Sequence, residues 1–333
     1  MHNYSLSKIQ VAVVGGSGYS GQELQRLLAK HPFVELKGLF NSQTVAGLNP
    51  ADYQAVFLAT PAEVSAELAP KILEYGVDVI DLSGAFRLAT ENVQESYQAW
   101  YGLNHPAVGW VKEAHYGLVP WAAPKIKDAI LISNPGCYAS AILMGLLPLL
   151  ANDLVLPDSI VIDAKSGTTG AGKKAVESQL FSEVAGECMP YKVGTHQHLP
   201  EIKLYAERFG RLKIDPFLTT SLLPVRRGII AGLYAKLQPG KQAGDVLQAF
   251  ETSYANYPLV EVSAGVTRES VSLKKVVGTA KTHISFAVNG EKLYLFSCLD
   301  NLLKGAASQA VENFNLINQF PVTTGLEHLE AMI

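Results

Sequence analysis

The sequence predicts an α/β protein: a doubly wound parallel sheet, followed by a second α+β domain carrying a mixed or antiparallel sheet. Three observations lead there. Short apolar runs alternate with helically spaced stretches as far as Leu150, the rhythm of a parallel sheet with helices on both faces. A glycine-rich turn joins the first run to the first helical stretch. Beyond Leu150 the strand-like runs follow one another with little helix between them, which suits mixed or antiparallel pairing.

Ile9–Val14 reads as the first strand, and Glu23, Leu24, Leu27 and Leu28 then recur at helical spacing until His31-Pro32 stops them. Val34–Phe40 and Ala55–Leu58 are the next strands; Ala59-Thr60-Pro61 closes the latter, and a helical stretch runs on to Tyr75. Residues 77–82 and 129–132 supply two more. Such unalternating apolar runs fit a sheet buried on both faces. In the second part, residues 159–164, 217–223, 229–237, 259–262 and 281–289 read as strands, 167–172 as a glycine-rich loop and 244–257 as a helix. Leu302, Leu303, Ala306, Ala310, Phe314 and Ile317 lie at helical intervals, and this last helix is expected to return to the first domain. The expected division is residues 1–136 with 302–333, and residues 137–301.

Composition narrows the function. The 333 residues are 48% hydrophobic and 17% charged, enough to build two cores. Lys+Arg is 27 against 30 Asp+Glu, a net charge of −3, which disfavours nucleic acid and anionic membranes as partners. Cys137, Cys188 and Cys298 are odd in number and far apart, unlike a secreted disulfide scaffold. Residues 1–8 are polar and no run reaches the ~18 apolar residues of a membrane helix. A cytoplasmic protein is expected.

Gly16-x-Gly18-x-x-Gly21 follows a strand and opens a helix, the setting of a dinucleotide fingerprint in a Rossmann domain. Glycines let backbone N–H groups approach a pyrophosphate at the positive helix end, so Gly15, Gly16, Ser17, Gly18, Tyr19, Ser20 and Gly21 are expected to bind cofactor. The second strand ends in Leu39-Phe40-Asn41-Ser42-Gln43 without the acid that holds a ribose 2′-hydroxyl. Asn41 and Ser42 thus point to NADP(H), although both are also ordinary turn residues. Thr60, Pro61 and Ser83 are assigned to the same site.

Cys137 lies in Asn134-Pro135-Gly136-Cys137-Tyr138, between a strand and an apolar helix. The first turn of a helix favours a thiolate, so Cys137 is the expected nucleophile, whereas Cys188 and Cys298 are expected to be inert core residues. A base is available in His196-x-His198-x-x-Glu201, where a His–Glu contact would fix the tautomer and raise basicity. Zinc chelation by His-x-His lacks a clear third ligand, so no metal is expected; a purely structural histidine pair stands as the other alternative.

Together these residues resemble the N-acetyl-gamma-glutamyl-phosphate reductases, over nearly the whole chain. The resemblance rests on Gly-Ser-Gly-Tyr-Ser-Gly at 16–21, Asp-Leu-Ser-Gly-Ala-Phe-Arg-Leu at 81–88, Tyr101-Gly102, Tyr116-Gly117-Leu118 and Asn134-Pro135-Gly136-Cys137-Tyr138. It continues through Lys165-Ser166-Gly167 to Gly172, His196-x-His198-x-Pro200-Glu201-Ile202, residues 224–229, and Asp300-Asn301-Leu302-x-Lys304-Gly305-Ala306-Ala307. Two stretches depart from the family pattern: the one between Ser42 and Tyr53 is short, which bears on the adenosine pocket, and residues 221–228 vary, which bears on the acyl group of the substrate.

The resemblance implies that Cys137 attacks an acyl phosphate, expels inorganic phosphate and forms a thioester, which hydride from NADPH reduces to a semialdehyde. It makes His198 or His196 the acid/base, with His198 favoured because Glu201 can orient it. A cationic clamp for phosphate falls to Arg87 with Asn134, then to Arg227. Ser166, Gly167 and the residues up to Gly170 would line the substrate with backbone N–H groups, or form a plain hairpin. Asn301 would contact the nicotinamide carboxamide, or cap the last helix. A homodimer or homotetramer is implied. The rivals are an aspartate-semialdehyde dehydrogenase, a reductase of a differently acylated or carrier-bound substrate, a dinucleotide-binding sensor and a cysteine hydrolase.

Overall fold

The first apolar runs become an all-parallel six-stranded sheet in the computed structural model, which describes residues 8–174 and 176–331. Along the chain come β1 (Ile9–Val14), α1 (Tyr19–Leu28), β2 (Val34–Phe40), β3 (Ala55–Leu58), α2 (Ala62–Leu73) and β4 (Asp78–Asp81). Then follow α3 (Val93–Tyr101), α4 (Val108–Glu113), β5 (His115–Tyr116), α5 (Ala123–Ile126) and β6 (Leu131–Ser133). The strand order is β2-β1-β3-β4-β6-β5, which places the ends of β1, β4 and β6, where the candidate residues lie, along one edge. Val11 to Val14, Val56 to Leu58 and Leu24, Leu27 and Leu28 are buried, as the unalternating runs require.

The second unit opens with α6 (Cys137–Ala151) and β7 (Val161–Gly167), then α7 (Phe181–Val184), β8 (Met189–Pro190) and α8 (His198–Gly210). It continues with β9 (Phe217–Leu223), β10 (Ile229–Lys236), α9 (Ala243–Tyr254), β11 (Val260–Ala264), α10 (Leu273–Val276), β12 (Thr282–Asn289) and β13 (Lys292–Leu299). Its seven strands are ordered β11-β12-β13-β10-β7-β9-β8, in mixed pairing. Helix α6 is buried from Tyr138 through Leu150, because a helix apolar all round has no solvent face to offer. It packs on β10 and β13 and against α8 and α9. The other sheet face is open, and Phe217, Val161, Tyr234 and Tyr294 lie in register across it.

Several expectations shift. Strand β13 was not foreseen, nor were the two-residue strands β5 and β8. Strand β7 starts at Val161 and runs to Gly167, the first residue of the expected loop. The last helix opens with a π-helical turn, Leu303–Ala307, before α11 (Ser308–Ile317). The chain leaves the second unit after Gly305 rather than at Leu302, and Ala306–His328 joins the first. Asp300 and Asn301 explain the delay, being bonded to Arg227, Gly228, Thr169 and Gly278 of the second unit. Cys298 is buried, and burial pushes its thiol up to about 12. Cys188 is exposed, not a core residue; it sits in a surface segment between α7 and β8 that has no sheet or helix face to bury it. No helix among the described residues is long and apolar enough to cross a membrane.

Phe314 of α11 is fully buried against Phe57 of β3 and His31, with ring centroids 5.7 and 5.8 Å away. Phe314→Ala is expected to lower the unfolding free energy of the first unit by about 3–5 kcal/mol, read from urea melts of both proteins.

Candidate active site

The glycine loop after β1 has no room for side chains where the backbone turns. Gly15 has φ +87°, and a Cβ there would stand 2.3 Å from the carbonyl oxygen of Ala59; one at Gly21 would stand 2.3 Å from that of Gly15. Gly18 caps α1 with backbone alone. The N–H groups of the first helical turn are thereby brought to the end of β1, a cradle that fits a dinucleotide pyrophosphate. Downstream, Asn41 Oδ1 accepts from the N–H groups of Gln43 and Thr44 at 2.8 and 3.2 Å, so Asn41 caps its own turn, and Ser42 is exposed. The Thr60 and Ser65 hydroxyls are 2.7 Å apart, and Pro61 precedes α2. Ser83 donates from Oγ and from its N–H to the Asp81 carboxylate, at 2.8 and 3.1 Å.

At the ends of β4 and β6 a buried polar cluster forms. Burial raises the Asp81 carboxyl above its ordinary value, opposed by bonds from Ser65 and Ser83 and by the charge of Arg87. Arg87 is buried too. Its Nε donates to the Asn134 carbonyl and its Nη2 to the Leu82 carbonyl, both at 2.9 Å. The Asn134 side chain donates to the Ala306 carbonyl at 3.2 Å and accepts from Asn313 at 3.0 Å. Arg87 and Asn134 are thus brought together, with Arg87 fixing the loop that leads to the cysteine.

Cys137 is the first residue of α6 and half-buried, as the sequence suggested. The preceding residue sets its surroundings. A Cβ at Gly136 would lie 2.4 Å from Nε2 of His198, so the imidazole rests directly on glycine backbone. The Gly136 N–H donates to Oε1 of the fully buried Glu201 at 2.9 Å. Glu201 therefore caps the start of α6 from α8. A Cβ at Gly305 would lie 2.7 Å from that of Cys137, closing the nucleophile's other side.

The two histidines differ. His198 opens α8, and its N–H donates to Nδ1 of His196 at 3.1 Å. That bond makes His196 Nδ1 an acceptor, and burial, with Lys192, pushes its pKa down to about 4. His196 is a neutral cap on α8, its ring 4.8 Å from His198, 5.2 Å from Tyr138 and 5.7 Å from Tyr191. Tyr191 donates to the Tyr138 hydroxyl at 3.1 Å. Burial raises both phenols, and the charge of Cys137 adds to each. Tyr191 and Gly305 were not among the expected residues. Tyr138, Gly136 and Gly305 stood in the quoted motifs; Tyr191 carried no signal beyond lying five residues before His196.

Other expectations need correction. The N–H groups of Gly167, Thr168 and Thr169 donate to the carbonyls of Gly228, Val225 and Arg226 at 2.9, 2.9 and 3.1 Å, and Ser166 Oγ donates to the Gly167 carbonyl at 3.0 Å. These groups stitch two loops together. Asn301 accepts from the Gly228 N–H at 2.8 Å and donates to Thr169 Oγ1 at 3.1 Å, so its amide is engaged inside the second unit, and the capping falls to Asp300, which accepts from the N–H groups of Leu302 and Leu303. Arg227 forms a two-pronged ion pair with the buried Asp300, its Nη2 2.9 Å from Oδ2. Among the described residues no three His, Cys, Asp or Glu side chains converge as metal ligands.

Family models for the semialdehyde dehydrogenase NAD binding domain match residues 10–55 and 49–129, and one for the semialdehyde dehydrogenase dimerisation domain matches residues 137–301. The chain is 38% identical to the N-acetyl-gamma-glutamyl-phosphate reductase of Geobacillus kaustophilus and 39% identical to that of Geobacillus stearothermophilus; each match covers 96% of this chain and 99% of the relative. The Bacillus anthracis enzyme of the same name is 36% identical over the same shares. Among solved structures, aspartate semialdehyde dehydrogenase II of Vibrio cholerae superposes with TM-score 0.71 at 17% identity, over 94% of this chain and 99% of that one. The Candida albicans aspartate semialdehyde dehydrogenase with NADP gives 0.65 at 13%, over the same shares.

Two outcomes follow from the geometry. Gly136→Ala should displace the His198 ring and lower kcat about 100-fold while the melting temperature changes little, read from steady-state kinetics beside thermal melts. Because the folded-state pKa of His196 lies below its ordinary 6.5, the unfolded chain binds the extra proton first. The stability from neutral His196 is present above pH 6.5 and lost as pH falls towards 4. The stability gap between the parent and His196→Asn should therefore narrow over that window, measured by urea melts across pH.

Proposed function

This chain belongs to the N-acetyl-gamma-glutamyl-phosphate reductases of the semialdehyde dehydrogenase family, and from that premise we propose how its residues divide the reaction. The activity is reduction of N-acetyl-gamma-glutamyl phosphate to N-acetylglutamate 5-semialdehyde with release of inorganic phosphate, a step of arginine biosynthesis. One observation carries the assignment of roles: Cys137 opens a buried helix, and the His198 imidazole rests against the glycine before it.

Cys137 Sγ, as thiolate at the positive end of α6, attacks the acyl-phosphate carbon; a C–S bond forms and the C–O bond to phosphate breaks. The enzyme-bound thioester is a better hydride acceptor than a carboxylate, and covalent capture holds its carbonyl in place. A nicotinamide dinucleotide held by the glycine loop at residues 15–21 would supply the hydride. His198 gives a proton to the oxygen of the resulting thiohemiacetal and takes it back as the C–S bond breaks, regenerating the thiolate and releasing aldehyde. Glu201 and His196 are positioning residues, Glu201 through the start of α6 and His196 through the start of α8. Arg87 and Asn134 provide charge and polarity for the acyl phosphate.

For the coenzyme we favour NADP(H), since residues 40–43 at the end of β2 hold no carboxylate to repel a 2′-phosphate. The open sheet face, with Phe217 78%, Val161 39% and Tyr294 38% exposed, supports a homodimer or homotetramer formed through the second unit. The protein then works in the cytoplasm on a small acyl phosphate.

Cys137→Ser is expected to lose turnover by about 10⁴-fold or more while binding NADPH unchanged by fluorescence titration. His198→Gln should lower kcat about 10²–10⁴-fold. In the reverse direction, oxidation of N-acetylglutamate semialdehyde should require phosphate or arsenate; indifference to both would overturn the thioester route.

A further inference from the structure

Residues 300–305 leave β13 for the last helix, and their side chains pin the stretch along its length. Asp300 is fully buried. Its Oδ1 accepts from Arg227 Nε and Nη2 at 3.2 and 3.0 Å, and its Oδ2 from the Gly278 N–H at 2.8 Å. The neighbouring Asn301 is bonded to Gly228 and Thr169. Lys304, also fully buried, donates from Nζ to the Tyr257 hydroxyl and lies over that ring, 4.8 Å from its centroid. Charges buried in this way cannot leave their partners without standing unmatched.

The backbone of the same stretch reaches the nucleophile. The Gly305 N–H donates to the Asp300 carbonyl, five residues back, at 2.9 Å. That is a π-helical bond, and it belongs to the turn Leu303–Ala307, a geometry that is rare and recurs at functional sites. A Cβ at Gly305 would stand 2.7 Å from Cβ of Cys137 and 3.2 Å from its Cα. Both atoms belong to the first residue of α6, which is buried from Tyr138 onward and cannot swing aside in a close-packed interior. The Gly305 backbone therefore lies directly against Cys137.

We propose that Asp300 is a positioning residue for Cys137: by holding the π-helical turn it keeps the Gly305 backbone against the nucleophile and so fixes where the sulfur points. The inference rests on the reductase reading, since the direction of the thiol matters only where Cys137 attacks. Misplacing a reacting atom by about 1 Å is enough to lower a rate about 100-fold. Asp300 acts only through the chain that it anchors.

The test joins steady-state kinetics to alkylation of Cys137 by iodoacetamide across pH, followed on its own peptide by mass spectrometry, with the exposed Cys188 as internal reference. Asp300→Asn keeps the side-chain volume and removes the charge that gathers its donors. It should lower kcat about 10-fold with KM kept within about 2-fold. The pH midpoint of Cys137 alkylation should move upward by about one unit, with Cys188 unchanged. Gly305→Ala leaves the Asp300 side-chain bonds in place and adds the obstructing Cβ, so it keeps the idea testable where Asp300→Asn does not fold. It should lower kcat about 100-fold and move the Cys137 midpoint in the same direction. A folded Asp300→Asn with the parent's kcat and alkylation profile, a rise in KM with kcat kept, or a Gly305→Ala enzyme that matches the parent overturns the positioning role. Failure of the reductase reading shows differently, as a parent enzyme without phosphate-dependent aldehyde oxidation whose alkylation profile still differs from those of the variants.

Discussion

The arrangement depends on the absence of a side chain at residue 136. A helix start is a sterically open place, and here three groups converge on it: the thiol of Cys137, the ring of His198 and the carboxylate of Glu201. Any Cβ at Gly136 would occupy the position of the His198 ring, 2.4 Å from Nε2. The Gly136 N–H, one of the donors that α6 cannot satisfy internally, is at the same time held by Glu201. Because α8 carries both His198 and Glu201, one contact between helices sets the His198 ring and fixes the residue that precedes Cys137.

Much of this was legible in the sequence, for physical reasons. Strands β1, β2, β3 and β9 fall at the expected residues because a buried strand needs a continuous apolar run and ends where polar or turn residues begin. Cys137 could be placed because strand, Pro-Gly turn and apolar helix are adjacent in the chain. Strand β13 was missed although a glycine opening a two-residue loop is a hairpin signal; Gly290 has φ +58°, and Asn289 pairs with Lys292 across Gly290-Glu291. Strands β5 and β8 are two residues long, too short to show any period.

What the sequence could not show were partners far apart in the chain. Arg227, Asn301 and Ser166-Gly167 have the residue types of a substrate site, yet each is engaged elsewhere: Arg227 with Asp300, 73 residues away, and Asn301 with Thr169, 132 residues away. Asp300 is the hub. Fully buried, it accepts from Arg227, Gly278, Leu302 and Leu303, so its charge is matched on all sides, as a buried carboxylate requires. These residues hold one another and the loops around them within the second unit.

The two histidines show how one motif divides into separate duties. Chemistry at neutral pH asks for an imidazole that can exchange a proton, and a fixed helix start asks for one that cannot. His196 meets the second need: its Nδ1 is occupied by the His198 N–H, its ring is enclosed by Tyr138 and Tyr191, and burial keeps it neutral. A charged His196 would lose the cap, because a protonated Nδ1 cannot accept a hydrogen bond. His198 stands at the glycine beside the sulfur, with its position fixed by that neutral neighbour. The spacing of two residues is what allows this, since a ring at the residue before a helix cap can reach back to the first helical N–H while the next ring faces the neighbouring helix start. The acid/base role proposed for His198 is thus kept apart from the capping that His196 performs.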